Sequence, residues 1–443
     1  SSSFHSSQAI VKMKPTLHFC CAAAVFTASS SSSLAFQTTT TTRLPNKVAL
    51  AGRRITSSST ARSLFFNNNQ ATQQPIEETE EEKQKRLKLE RLAEIEAGEI
   101  RRQRRVSEDK LGYLFLFALQ FLPLVGNDRY LSIAYFFGLA VTTVYLGGRQ
   151  EVIDAPEKVT KKNALYAPVG ASLAIGGLYL LLKNGLDPTS LYAVGVTVFG
   201  ALCISDIGVP LLRNLLPSVD FGTAEIDLPE GIAKKLDVDR LPIDGLITLG
   251  LGLLCTVVYW APVALENKFL VSNIIAWALG MVSLGAISLG SFQTGAILLA
   301  GLFCYDVFWV FGTDVMMTVA TKVEAPVRFL YTAPPSDTPK DYPFSVLGLG
   351  DVVIPGLFVR FMGKVDEVLQ PKNLSYFTTA TFAYGAGLAA CFGANEIFHN
   401  GQPALLYLDP SLVGSALACA AVNNQVSDVW EFEESGDEKP EEV

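Results

Sequence analysis

Two aspartates interrupt consecutive apolar runs at matching places. Asp306 lies in Leu302-Phe303-Cys304-Tyr305-Asp306-Val307-Phe308-Trp309, and Asp351 lies in Gly348-Leu349-Gly350-Asp351-Val352-Val353 of the next run. A charge inside an apolar span is costly and usually functional. If the two runs are antiparallel helices joined by residues 313–344, Asp306 stands six residues before Gly312 and Asp351 six residues after Ser345. At about 1.5 Å of rise per residue, both carboxylates fall about 9 Å below one membrane face, where they can meet. A close pair in low dielectric does not hold two charges and shares a proton instead. One aspartate then acts as general base on water while the other, protonated, polarises an amide carbonyl. That chemistry hydrolyses a peptide bond without a metal or a nucleophile. A proton relay in a transporter uses a similar pair, so the spacing alone leaves both readings open. Asp206, in Cys203-Ile204-Ser205-Asp206, is a third intramembrane acid with no partner at matched depth. It is expected to be a hydrogen-bonded packing residue or the edge of a water-filled cavity.

The elements that position these acids follow from the composition. Hydrophobic residues make up 49% of the 443-residue chain and charged residues 18%, against about a quarter charged in a soluble domain. Between Leu111 and Val422 the apolar residues fall into runs long enough to cross a bilayer as helices. The spans expected are residues 130–148, 164–182, 190–216, 243–264, 269–289, 293–312, 345–362, 376–397 and 403–422. A tenth run, 111–126, is at the short limit and contains Pro123; it either spans or dips into the interface. The fold class is therefore an all-α polytopic membrane protein with one extra N-terminal hydrophobic segment. Lys and Arg residues in the loops favour an inner C-terminus, with Arg360 and Lys364 counted among the inner loop residues. Glycines in the runs, such as Gly250 and Gly252 or Gly385 and Gly387, are expected to let helices approach closely.

Three motifs then carry a resemblance. Tyr305-Asp306-Val307-Phe308-Trp309-Val310-Phe311-Gly312-Thr313 resembles the first active-site motif of signal peptide peptidases. Gly348-Leu349-Gly350-Asp351-Val352-Val353-Ile354-Pro355-Gly356 is similar to the second, a G-x-G-D motif shared with presenilins. Gln402-Pro403-Ala404-Leu405-Leu406-Tyr407-Leu408 resembles the third, a Pro-Ala-Leu segment, and Glu324-Ala325-Pro326 matches as well. A lone G-x-G-D is weak, whereas three motifs in order are specific. The resemblance implies the nine-helix presenilin/signal peptide peptidase fold and an aspartic endopeptidase that cuts transmembrane helices. It makes Asp306 and Asp351 catalytic and implies type II-oriented helices, including remnant signal peptides, as substrates. It also implies that Pro403, Ala404 and Leu405 shape the site. Gly348 and Gly350, flanking Leu349, leave backbone that an extended substrate can approach. The Tyr305 hydroxyl either bonds near the pair or packs in the membrane. The partners implied are transmembrane peptide or membrane-protein substrates and the lipid bilayer; a homo-oligomer stays open, and no nucleic acid is implied.

The remaining residues mostly exclude. Of the seven cysteines the last five lie in apolar runs with no C-x-x-C spacing, and the three histidines are scattered, so no metal site or cofactor is expected. No Asp or Glu precedes Glu77. Met13, expected to be the initiator, is followed by Lys14, an apolar stretch over 17–28 and small residues, the layout of a secretory signal. Residues 38–63 are rich in Ser, Thr and Arg, as transit peptides are. The joining Leu34-Ala35-Phe36 resembles the two-part presequence of algae whose plastids lie inside an ER-derived membrane. A plastid membrane reached through an ER signal is thus expected, with the ER membrane as the alternative. The chain divides into a presequence (1–63), a charged solvated segment (64–110), a multi-span protease domain (111–427) and an acidic tail (428–443).

Overall fold

The computed structural model describes residues 80–434, except 127, 152–155, 186–188, 220, 222–224, 228–239, 263–264, 314, 316–318, 320–322, 324, 333–343 and 399–401. The expected presequence and the tail beyond residue 434 lie outside the described residues, as do Asp314 and Glu324. Two units divide at Arg91/Leu92, and everything below concerns the unit from Leu92 onward.

Each of the nine expected spans contains a helix. They are α4 (Arg129–Arg149), α5 (Lys161–Lys183), α6 (Thr189–Leu215), α7 (Ile243–Trp260), α8 (Leu265–Ala286), α9 (Phe292–Gly312), α10 (Leu349–Leu369), α11 (Tyr376–Phe398) and α12 (Leu405–Asn423). Before them come α1 (Glu80–Glu108), α2 (Lys110–Leu119) and α3 (Leu122–Val125), and after them α13 (Val426–Trp430). Among the described residues seven of these helices are long and apolar enough to cross a membrane, that of α8 counted from Lys268. The exceptions among the nine are α10 and α11. Helix α10 carries Asp351, Arg360, Lys364, Asp366 and Glu367, and α11 is rich in Gly, Thr and Ala.

Local chemistry sets the helix starts. Asp128, Thr160 and Ser291 accept hydrogen bonds from the backbone N–H of Arg129, Asn163 and Thr294 at 2.8, 3.2 and 3.2 Å, each satisfying a donor that the first turn leaves unpaired. The run 111–126 is not one span. Its helix breaks between Leu119 and Leu122, and Pro123, in the first turn of α3, has no N–H to bond the Leu119 carbonyl and carry α2 onward. The ten-residue α2 is too short to cross a bilayer.

Burial sorts the bundle into centre and rim. Helix α8 has 78% of its apolar window buried, whereas α5 and α7 have 22%, their outer faces presenting Leu165, Val169 and Leu173 or Leu251, Leu254 and Val257. In a bilayer those residues face lipid. Close contacts run through small residues: a Cβ on Gly252 would stand 2.4 Å from the Ala201 carbonyl oxygen, fixing α7 on α6. A Cβ on Gly387 would stand 2.9 Å from the Tyr407 carbonyl oxygen, fixing α11 on α12.

Two strands, β5 (Arg328–Thr332) and β6 (Phe344–Gly348), form an antiparallel pair in which Arg328 faces Gly348 and Tyr331 faces Ser345. The other strands, β1 (Glu157–Lys158) with β4 (Ile287–Ser288) and β2 (Glu225–Asp227) with β3 (Arg240–Pro242), are shorter. The buried Asn273 of α8 accepts from the Leu330 N–H and donates to its carbonyl, both at 2.8 Å, completing the inner edge of β5 as a third strand would. Strand β6 corrects the expected span 345–362. Its residues are extended and the helix begins only at Leu349. A short apolar run reads equally as buried strand or helix, so periodicity did not separate them.

Two more expectations change. Arg360 is no loop residue: it is buried in α10 and donates to the Leu284 and Gly147 carbonyls at 2.8 and 3.3 Å. The charged segment ahead of α2 is not wholly solvated, since Arg102 and Val106 of α1 are buried.

Candidate active site

Asp306 stands in the second half of α9 and is buried. Asp351 stands in the first turn of α10, where the helix dipole favours an acid, and is only partly buried. The two carboxylates interact electrostatically. They come within electrostatic reach of each other although the equal-depth count fails for Asp351, which lies two residues into its helix behind five extended residues of β6. A strand rises about 3.4 Å per residue rather than 1.5 Å, so the same six residues reach deeper than a helix would.

The three motifs converge around this pair. The Leu405 backbone N–H donates to Asp306 Oδ2 at 3.1 Å. Leu405 is the first residue of α12, and its N–H is one of the donors a helix start leaves unpaired. Pro403 and Ala404, both buried, lead into that turn, so the Pro-Ala-Leu segment presents a helix N-terminus to a carboxylate. Gly348 caps α10, and a Cβ there would lie 3.1 Å from Asp351 Oδ2. Glycine leaves that carboxylate its room. Leu349 is buried against Gly280 of α8, and its N–H donates to the Val327 carbonyl at 3.2 Å, tying the strand end to the helix start. Gly350 is buried within the same turn.

The chain is similar to known proteins over most of its length. The family model described as signal peptide peptidase matches residues 151–436. The signal peptide peptidase of Homo sapiens is 33% identical over 314 residues, covering 69% of this chain and 81% of that protein. A probable intramembrane protease of Schizosaccharomyces pombe is 29% identical over 314 residues, covering 68% of this chain and 95% of that protein. The chain belongs to the signal peptide peptidase family. It is a multi-pass membrane protein and an intramembrane aspartic endopeptidase, and nothing in these findings favours the transporter.

The other residues singled out from sequence sort as follows. The Tyr305 hydroxyl is buried with no hydrogen-bond partner among the described residues, near both aspartates. Its ring lies 6.5 Å from that of Trp309, whose indole N–H donates to Ser172 Oγ of α5 at 3.1 Å. Asp206 is away from the pair. Arg102 clasps it with bonds of 3.0 and 2.7 Å to its two carboxylate oxygens and one of 3.1 Å to its carbonyl. Two residues went unnoticed. Tyr384 of α11, fully buried, donates to the Asp351 carbonyl at 3.4 Å and carries no sequence signal. Asp409 of α12 is a buried acid within electrostatic reach of both Asp306 and Asp351. Its signal, a charge in an apolar span, is the one that identified the other acids. Among the described residues no group of three or more His, Cys, Asp or Glu is arranged to hold a metal ion.

Proposed function

We propose that Asp306 and Asp351 are the catalytic dyad and that the enzyme hydrolyses membrane-spanning helices, remnant signal peptides and type II membrane proteins among them. The observation that carries this reading is the Leu405 N–H on Asp306 Oδ2. It leaves Asp351, the more accessible acid, turned toward incoming substrate. One carboxylate acts as base on a water while the other donates its proton to the amide oxygen. The resulting tetrahedral diol collapses as the leaving nitrogen takes up a proton.

A helix hides its amides in internal hydrogen bonds, so the substrate unwinds before attack. Strand β6 supports that step. Among the described residues it pairs with β5 alone, which leaves its other edge without a strand partner among them, and the strand leads directly to Gly348 and Asp351. An unwound segment adding to this edge regains hydrogen bonds for its amides. Purified Asp306→Ala and Asp351→Ala proteins each lose cleavage of a transmembrane peptide while remaining folded in detergent; cleavage by either one overturns the assignment. For location, we infer a plastid membrane entered by way of the ER. A fluorescent protein carrying residues 13–63 reaches the plastid, and Phe36→Ala strands it in the secretory route. An ER-only signal from the unaltered fusion refutes this inference and leaves the chemistry untouched.

A further inference from the structure

The acids inside the bundle differ in how they are satisfied. Asp206 is clasped by Arg102. Asp244 accepts from Arg213 and from the Gly245 N–H. Asp366 accepts from Ser375 Oγ and from the N–H groups of Tyr376 and Phe377, at 2.6, 2.6 and 2.8 Å. Asp409 is 4% exposed, and neither of its carboxyl oxygens has a hydrogen-bond partner among the described residues. A carboxyl kept for structure is expected to be paired, because burying it unpaired is costly.

Its position says what it is kept for. Leu405 and Asp409 are four residues apart on α12 and share a face. The Leu405 N–H bonds Asp306, so α12 begins at the dyad, and Asp409 stands about one turn along it. Asp409 lies within electrostatic reach of both dyad acids. In its acid form a carboxyl group carries one O–H donor and one carbonyl acceptor. An unwound peptide exposes complementary groups, an N–H and a C=O that find no water in the membrane. The unpartnered Tyr305 hydroxyl also lies within electrostatic reach of both dyad acids.

We propose that Asp409 is a substrate-holding residue, hydrogen-bonding as a neutral acid to the unwound backbone beside the bond that Asp306 and Asp351 cut. This rests on the protease reading above. It assigns Asp409 to binding and leaves the hydrolytic steps to the dyad.

The test uses purified full-length protein and a transmembrane peptide substrate in detergent. A photoreactive, hydroxyl-bearing mimic of the tetrahedral intermediate, too short to extend past the dyad, reports an intact site. Asp409→Leu raises KM about tenfold, the loss of one hydrogen bond to a buried amide, with the pH profile of kcat and labelling retained. Asp409→Asn, which keeps a donor and an acceptor, brings KM back to within about threefold of wild type. A substrate in which an ester replaces one amide beside the scissile bond removes the partner N–H. At one such position the wild-type KM rises, and in Asp409→Leu the same ester has no further effect. An unchanged KM in Asp409→Leu overturns the proposal, as does an Asn variant as weak as Leu. If the Leu variant does not label, the ester series on wild type decides, and the lack of a KM penalty at every flanking position overturns it. Wild-type protein that cuts no transmembrane peptide fails the protease reading itself, a separate outcome.

Discussion

Gly348→Ala probes the tightest contact around the dyad. The new Cβ stands 3.1 Å from Asp351 Oδ2, where ordinary contact begins at 3.4 Å, so the carboxylate must give by a few tenths of an ångström. A misplacement of about 1 Å costs a reaction on the order of a hundredfold. Scaled to about 0.3 Å, the loss is about fourfold, or about 0.8 kcal/mol of transition-state stabilisation. The effect falls on kcat, because the displaced atom belongs to the acid that reacts. Steady-state cleavage of a transmembrane peptide by purified protein measures it, with Gly250→Ala, where a Cβ meets nothing within 4 Å, as the control that keeps the wild-type rate. A wild-type kcat in Gly348→Ala refutes the contact as a constraint on Asp351. A fall beyond about a hundredfold refutes the modest displacement on which the estimate stands.

Two further outcomes follow from charges away from the dyad. Asp206→Asn leaves the Arg102 guanidinium buried without its counter-charge and lowers stability by about 3 kcal/mol, yet the folded fraction keeps substantial cleavage and labelling by the tetrahedral mimic. A folded variant that neither cleaves nor labels contradicts the structural role. Glu434 is pushed up by burial, but hydrogen bonds from Lys364 and Ser288 outweigh that and hold it below the usual glutamate range. A depressed carboxylate stabilises the fold above its unfolded value and loses that contribution as pH falls through the folded one. Glu434→Gln therefore costs about 1 kcal/mol at pH 7, and the gap to wild type closes below about pH 4. A gap in thermal unfolding that persists at acid pH contradicts the pairing.

Much of the site was legible because a membrane makes intramembrane charge expensive. Asp306 and Asp351 stood out against apolar neighbours, and Pro403, Ala404 and Leu405 were placed by their motif. What the motif did not show is that Leu405 acts through its backbone N–H, a contact no side-chain pattern encodes. The nine helices were visible from run length, but the start of α10 was not. Phe344, Val346 and Leu347 suit a strand as well as a helix, and the pairing with Arg328–Thr332, a segment apart from them in sequence, decides between them. Arg360 looked like a loop cation because it closes an apolar run. Its partners, the carbonyls of Gly147 and Leu284, are remote in sequence. Asp409 was as visible as Asp206 and stayed unread behind the motif it follows.

The central claim is that Asp306 and Asp351 together hydrolyse a peptide bond. A photoreactive hydroxyl isostere of the amide hydrate tests it directly, since a dyad shaped for a tetrahedral intermediate binds that geometry more tightly than a planar amide. The account predicts that the isostere labels wild-type protein and blocks its cleavage of a transmembrane peptide, with both effects lost when either aspartate becomes alanine. Labelling or cleavage that survives removal of Asp306 or Asp351 would contradict it.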